Sequence, residues 1–149
     1  MGNVLDKIKD YIKQNEACDL KVYRDTRGYP TVGWGHKVVI SDGWQVGDEI
    51  TKEQADDLFL HDIVWLMSGI RQLLPKYDTL PENVQIVIAD MAYNNGIAGL
   101  SKFKRFLAAI KDGDWNKASL EIIDSDNYRS KDLHPRYDRL AKLVKGDML

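Results

Sequence analysis

The sequence predicts an α+β fold in which a small antiparallel sheet lobe and a larger helical lobe are joined by a long helix. Three observations carry this. Strand-forming residues are confined to one short segment, Leu20 to Ile40. A helical apolar stripe then runs from Thr51 for about six turns. Beyond Pro75 the periodicity stays helical.

Val4, Leu5, Ile8, Tyr11 and Ile12 recur at helical spacing, so residues 3–15 predict an amphipathic helix. Val22, Tyr23, Thr31, Val32, Trp34, Val38, Val39 and Ile40 favour strands, punctuated by Gly28, Pro30, Gly33 and Gly35. Ser41-Asp-Gly and Val46-Gly-Asp are expected turns. Thr51 and Gln54 form a capping box that starts the long helix, and Pro75 ends it. Thr79-Leu-Pro-Glu82 is expected to cap the next helix, whose apolar residues from Val84 to Ala92 point almost all round. Further helices are expected near 101–111, 114–124 with Asp114 as cap, and 135–145 between Pro135 and Gly146. One domain, 1–149, results: a sheet lobe of about 14–50, a connecting helix of about 51–74 and a helical lobe of about 75–149 that takes in helix 3–15.

The composition, 44% hydrophobic and 30% charged over 149 residues, suits a globular chain with a sizeable core. No apolar stretch approaches the roughly 18–20 residues of a membrane span, so no membrane insertion is expected. The start, Met1-Gly-Asn-Val-Leu-Asp6, lacks the apolar run of a secretory signal, and Asp6 stands where myristoylation expects Ser or Thr. One cysteine, Cys18, cannot form an internal disulfide, which fits synthesis in a cytoplasm. The net charge is −2, but residues 101–149 carry 11 Lys/Arg against 8 Asp/Glu. That bias, which includes Arg136 and Arg139, reads either as attraction to an anionic polymer or as solvated helix faces. It is too modest to suggest nucleic-acid binding.

The chemistry concentrates between Glu16 and His36. Glu16 follows the predicted end of the first helix, whose partial negative charge would raise a carboxyl's pKa and suit a general acid. Asp25 lies among Arg24, Thr26, Arg27 and a glycine turn, where it should stay ionised. Two carboxylates with pKa values pushed apart are the equipment for glycosidic cleavage. Thr31 can turn its hydroxyl towards Asp25 if the segments pair as a hairpin. On spacing alone, solvated surface acids remain the competing reading.

The run Leu20-Lys-Val-Tyr-Arg-Asp25-Thr-Arg-Gly-Tyr-Pro-Thr31-Val-Gly-Trp-Gly-His36, with Glu16 before it, closely resembles the catalytic segment of the phage-type lysozymes, glycoside hydrolase family 24. The resemblance extends to Ile50–Phe59, Tyr77–Leu80, Met91–Gly96, Trp115–Ala118 and Tyr137–Gly146. It implies a lysozyme-like fold and an endolysin that hydrolyses the β-1,4 bond between N-acetylmuramic acid and N-acetylglucosamine in bacterial peptidoglycan. Glu16 would protonate the leaving oxygen, while Asp25 and Thr31 would hold the attacking water in an inverting reaction. Tyr93 and Asn94 would contact the sugar from the helical lobe. No metal or organic cofactor is implied, and a monomer is expected. The protein would be made in the host cytoplasm and reach the wall after holin-type or lytic release. Ala17 stands where the family usually has Gly.

Two alternatives keep the fold and change the function: a lytic transglycosylase, or an inactive module that binds wall glycan or another protein. The complete Glu16, Asp25 and Thr31 set argues against both. Among the remaining residues, His36 reads as structural, and the resemblance places it opposite Asp62. His61 and His134 lack ligand-like spacing. Trp34 and Trp44 suit a cleft or a core equally, Trp65 and Trp115 are expected in the core or lobe interface, and Cys18 is expected to be buried.

Overall fold

The computed structural model describes residues 3–147. The expectations for Met1, Gly2 and the last two positions lie outside them. Helix α1 (Val4–Asn15) starts where the Asn3 carboxamide accepts from the Asp6 amide at 2.9 Å, and buries Ile8 and Ile12. Its last hydrogen bond runs from the Glu16 amide to the Ile12 carbonyl, and Glu16 itself is extended. The helix therefore stops at the residue that opens the site.

The sheet comprises β1 (Asp19–Arg24), β2 (Pro30–Gly33) and β3 (His36–Lys37) in that order, antiparallel throughout. Tyr23 faces Thr31 and Arg24 faces Pro30. The free edge of β1 is covered by residues 47–50, through the Val22 amide on Asp48 and the Ile50 amide on Leu20, both at 2.8 Å. The strand signal fades after Val38, whose amide still donates to the Pro30 carbonyl at 2.9 Å, and Val39 and Ile40 do not extend the sheet. Ile40–Asp42 form a 3₁₀ turn instead, because the Asp42 carboxylate takes the Val39 amide at 2.9 Å and offers the backbone a local alternative to the ladder. Ile40 is left fully exposed.

The long helix α2 (Lys52–Leu73) begins with the predicted capping box: the Gln54 amide donates to the Thr51 hydroxyl at 3.0 Å, and the Thr51 amide to the Gln54 side chain at 2.8 Å. Its inner stripe is Ala55, Phe59, Ile63, Leu66, Met67 and Ile70. Thr79 does not cap α3 (Glu82–Ser101). It lies in a 3₁₀ turn at Tyr77–Thr79, its hydroxyl donates to the Lys76 carbonyl, and Pro81 occupies the cap position. Buried from Val84 to Ala92 except at the partly buried Ile86, α3 is the central helix of the molecule and kinks at Gly96. It runs through Ser101, so the next helix, α4 (Lys104–Lys111), starts later than expected. Then come α5 (Trp115–Ile123), capped by Asp114, a short α6 (Asp126–Arg129) too brief to leave a periodic signal, and α7 (His134–Val144).

Two apolar clusters result. The larger gathers α1, α2, α3, α4, α5 and α7, and the smaller sits under the sheet with Val22, Val32, Ile50 and Ala55. Trp34 packs against both, while Trp44 and the half-buried Cys18 lie on the smaller. Trp115 packs on the larger cluster as expected. Trp65 does not. The inward stripe of α2 leaves it on the opposite side, 69% exposed. Among the described residues, no helix is long and apolar enough to cross a membrane.

Candidate active site

Between the sheet and the helical lobe lies a cleft of about 930 Å³, lined by Glu16, Asp25, Thr31, Tyr93, Asn94 and Arg136 among others. Every candidate site residue from the sequence therefore faces one space. They arrive from different elements: Glu16 from the end of α1, Asp25 from the β1–β2 turn, Thr31 from β2, and Tyr93 with Asn94 from α3.

The Glu16 carboxyl is held above its ordinary pKa chiefly by burial. Arg136 works against this, donating from Nη1 to Oε1 at 3.1 Å, and buried Asp90 adds to the upward push. Burial, rather than the field of the helix end, is thus the leading cause. Gly35 presses on the same carboxyl. At φ +79° it occupies the left-handed region, and a Cβ there would stand 2.8 Å from Oε2. Among the described residues no non-glycine residue has positive φ, so Ala17 is accommodated without left-handed strain.

Arg136 eluded the sequence reading, which grouped it with surface cations. It is 8% exposed and grips fully buried Asp90 with two hydrogen bonds of 2.9 and 2.8 Å, its third arm reaching Glu16. The signal that could have found it was Asp90, the one carboxylate in the apolar stretch from Val84 to Ala92, which requires a cation.

Asp25 is pushed the other way. The Lys37 ammonium paired with its Oδ2 is the largest cause of its lowered pKa, and the Tyr29 and Arg27 amides donate to Oδ1 at 2.8 and 2.9 Å. The cation comes from β3 and not from the flanking arginines, for Arg24 donates to the Gly28 carbonyl. Thr31 is buried, and its hydroxyl donates to the Tyr29 carbonyl at 2.9 Å, not to Asp25. Its oxygen thereby keeps lone pairs to accept a hydrogen bond from a water.

Tyr93 donates its hydroxyl to the Trp34 carbonyl, tying α3 to the turn before Gly35, and burial raises its pKa far above the usual phenol value. Its ring meets Phe59, which in turn meets Trp34. The Asn94 carboxamide oxygen accepts from the Tyr137 hydroxyl at 2.7 Å, which leaves the amide nitrogen as its donor towards the cleft. His36 binds Asp62 at 2.7 Å, the expected partner, and Asp42 at 2.9 Å, an unforeseen one. Burial opposes its charge, yet the two carboxylates together raise its pKa.

The family model described as phage lysozyme matches residues 13–135, a span that contains the whole constellation. The chain belongs to the phage lysozyme family. It is a lysozyme, a peptidoglycan-hydrolysing glycoside hydrolase. Among relatives, the probable T4-type lysozyme 2 of Dictyostelium discoideum is 27% identical over 145 residues, covering 82% of this chain and 85% of its own. The pre-baseplate central spike protein Gp5 of Enterobacteria phage T4 is 32% identical over 130 residues, 73% of this chain. The match spans only 23% of that spike protein's length. The endolysin of Salmonella phage P22 is 33% identical over 87 residues, 57% of this chain and 58% of its own.

Proposed function

We propose that this lysozyme cleaves the β-1,4 bond between N-acetylmuramic acid and N-acetylglucosamine with inversion, as an endolysin acting on the host wall. The observation that carries the reading is the opposed tuning of two carboxyls in one cleft: Glu16 raised by burial, Asp25 lowered by Lys37. Glu16, whose raised pKa favours the protonated form, gives its proton to the departing glycosidic oxygen. Asp25 accepts a proton from a water that Thr31 helps to orient, and that water attacks the anomeric carbon from the opposite face. Arg136 fixes the Glu16 carboxyl and moves no proton itself. Asn94 and the Tyr93 ring bound the sugar from the helical side. One copy of the chain carries all of these groups, which favours a monomer.

Turbidity loss of permeabilised Gram-negative cells, wild type beside Glu16→Gln, tests the acid. The expected fall is roughly 10²- to 10⁴-fold. Freshly released muropeptides should carry reducing muramic ends in the α configuration. Ends of the 1,6-anhydro type would identify a transglycosylase, and wall binding without cleavage would identify an inactive module.

A further inference from the structure

Helix α2 turns a second, polar face to the cleft. His61, Trp65, Ser68 and Gln72 stand at i, i+4, i+7 and i+11, one stripe of a 3.6-residue helix, and all four line the cleft with Glu16 and Asp25. The stripe covers about 16 Å of helix axis, room for more than one sugar ring. Trp65 is 69% exposed although the same helix buries six residues on its other side. The His61 ring leans on the indole, 6.4 Å between centroids at 55°. The start of the stripe is also anchored, because the next residue, Asp62, is bound by His36.

We propose that Trp65 is a carbohydrate platform: a sugar of the glycan strand, beyond the pair joined by the scissile bond, stacks its CH face on the indole while Ser68 and Gln72 bond its hydroxyl and acetamido groups. This rests on the hydrolase reading of the cleft. An aromatic plate flanked by uncharged hydrogen-bonding side chains is what a pyranose requires, apolar on its face and polar at its rim. The stripe carries no Lys, Arg, Asp or Glu, so it offers no fixed charge to the carboxylates and amines of stem peptides. Its continuity with Glu16 and Asp25 aligns it with a substrate that is a linear polymer.

The test is Trp65→Ala, whose exposed side chain can be removed without opening the core, with unchanged melting as the control. In a Glu16→Gln background, affinity for stem-free glycan strands, prepared by amidase treatment of sacculi, should fall about three- to tenfold. With Glu16 intact, KM for those strands should rise by more than kcat falls, and Trp65→Phe should recover part of the loss. Unchanged affinity and KM would overturn the proposal. So would weakening seen only with peptide-bearing strands, which would assign the stripe to the stem. Trp65-dependent binding by a wild-type protein that cleaves nothing would leave the platform standing and sink the hydrolase mechanism instead.

Discussion

Burial lifts the Glu16 carboxyl above its ordinary value while Lys37 holds Asp25 below its own. A reaction needing the first protonated and the second ionised works in the window between them. Lys37→Gln removes the largest cause of Asp25's depression, so the acid limb of the kcat/KM profile should move to higher pH. The alkaline limb, set by Glu16, should move far less. A profile from about pH 3 to 9 reads both limbs, and an unmoved acid limb would remove Asp25 from its role. Glu16 also bears on stability. Its folded pKa lies above the unfolded value, so its contribution is complete below the unfolded value and is lost as pH rises through the folded one. Glu16→Gln, which stays neutral, should therefore melt higher than wild type at pH 7, with the gain shrinking towards pH 4. Glu16 and Asp25 were legible from where they stand, at a helix end and in a turn, although burial and Lys37 of β3 lead their tuning and neither is a local feature. Arg136 was not. It meets Glu16 across 120 positions and Asp90 across 46, contacts that no local pattern encodes.

The His36 pair with Asp62 and Asp42 fastens β3 to α2 and to the 3₁₀ turn at Ile40–Asp42. His36's folded pKa is raised, so its stabilisation is complete below the ordinary histidine value and fades as pH rises through the raised one. His36→Ala should cost about 1–2 kcal/mol at pH 6 and visibly less at pH 9, measured by denaturant melts at both. Equal losses would show that the ring serves by packing alone. The long helices were readable because capping and period agreed, as at Thr51, Gln54 and the stripe from Ala55 to Ile70. The β-branched pair Val39–Ile40 misled because an aspartate three residues past Val39 captures the backbone locally. Which side of α2 would be covered also depended on the sheet and α3 arriving there, so Trp65 could not be placed from its own helix.

Across the whole molecule, the apolar clusters are unequal: one spans six helices, the other rests on four buried residues under a short sheet. Native-state hydrogen exchange should find the β1–β2 amides opening at lower free energy than those in the middle of α3. Uniform protection would contradict that division. Ile88→Ala, at 0% exposure in the large cluster, should cost about 2–5 kcal/mol in global melts. The two-lobe plan was visible in the switch from strand to helix periodicity, whereas the cleft exists only where the lobes meet. That meeting has a consequence for the product. Glu16 hangs from the helical core and Asp25 from the sheet, so the separation that the proposed mechanism needs for its water is an interlobe distance, and the Tyr93 hydroxyl on Trp34 is a fastener spanning it. Under the proposed mechanism, the handedness of the newly freed sugar end records how well the lobes are registered. A protein with both carboxylates intact but that fastener gone, as in Tyr93→Phe, would still cut, and would lose its stereochemical fidelity first.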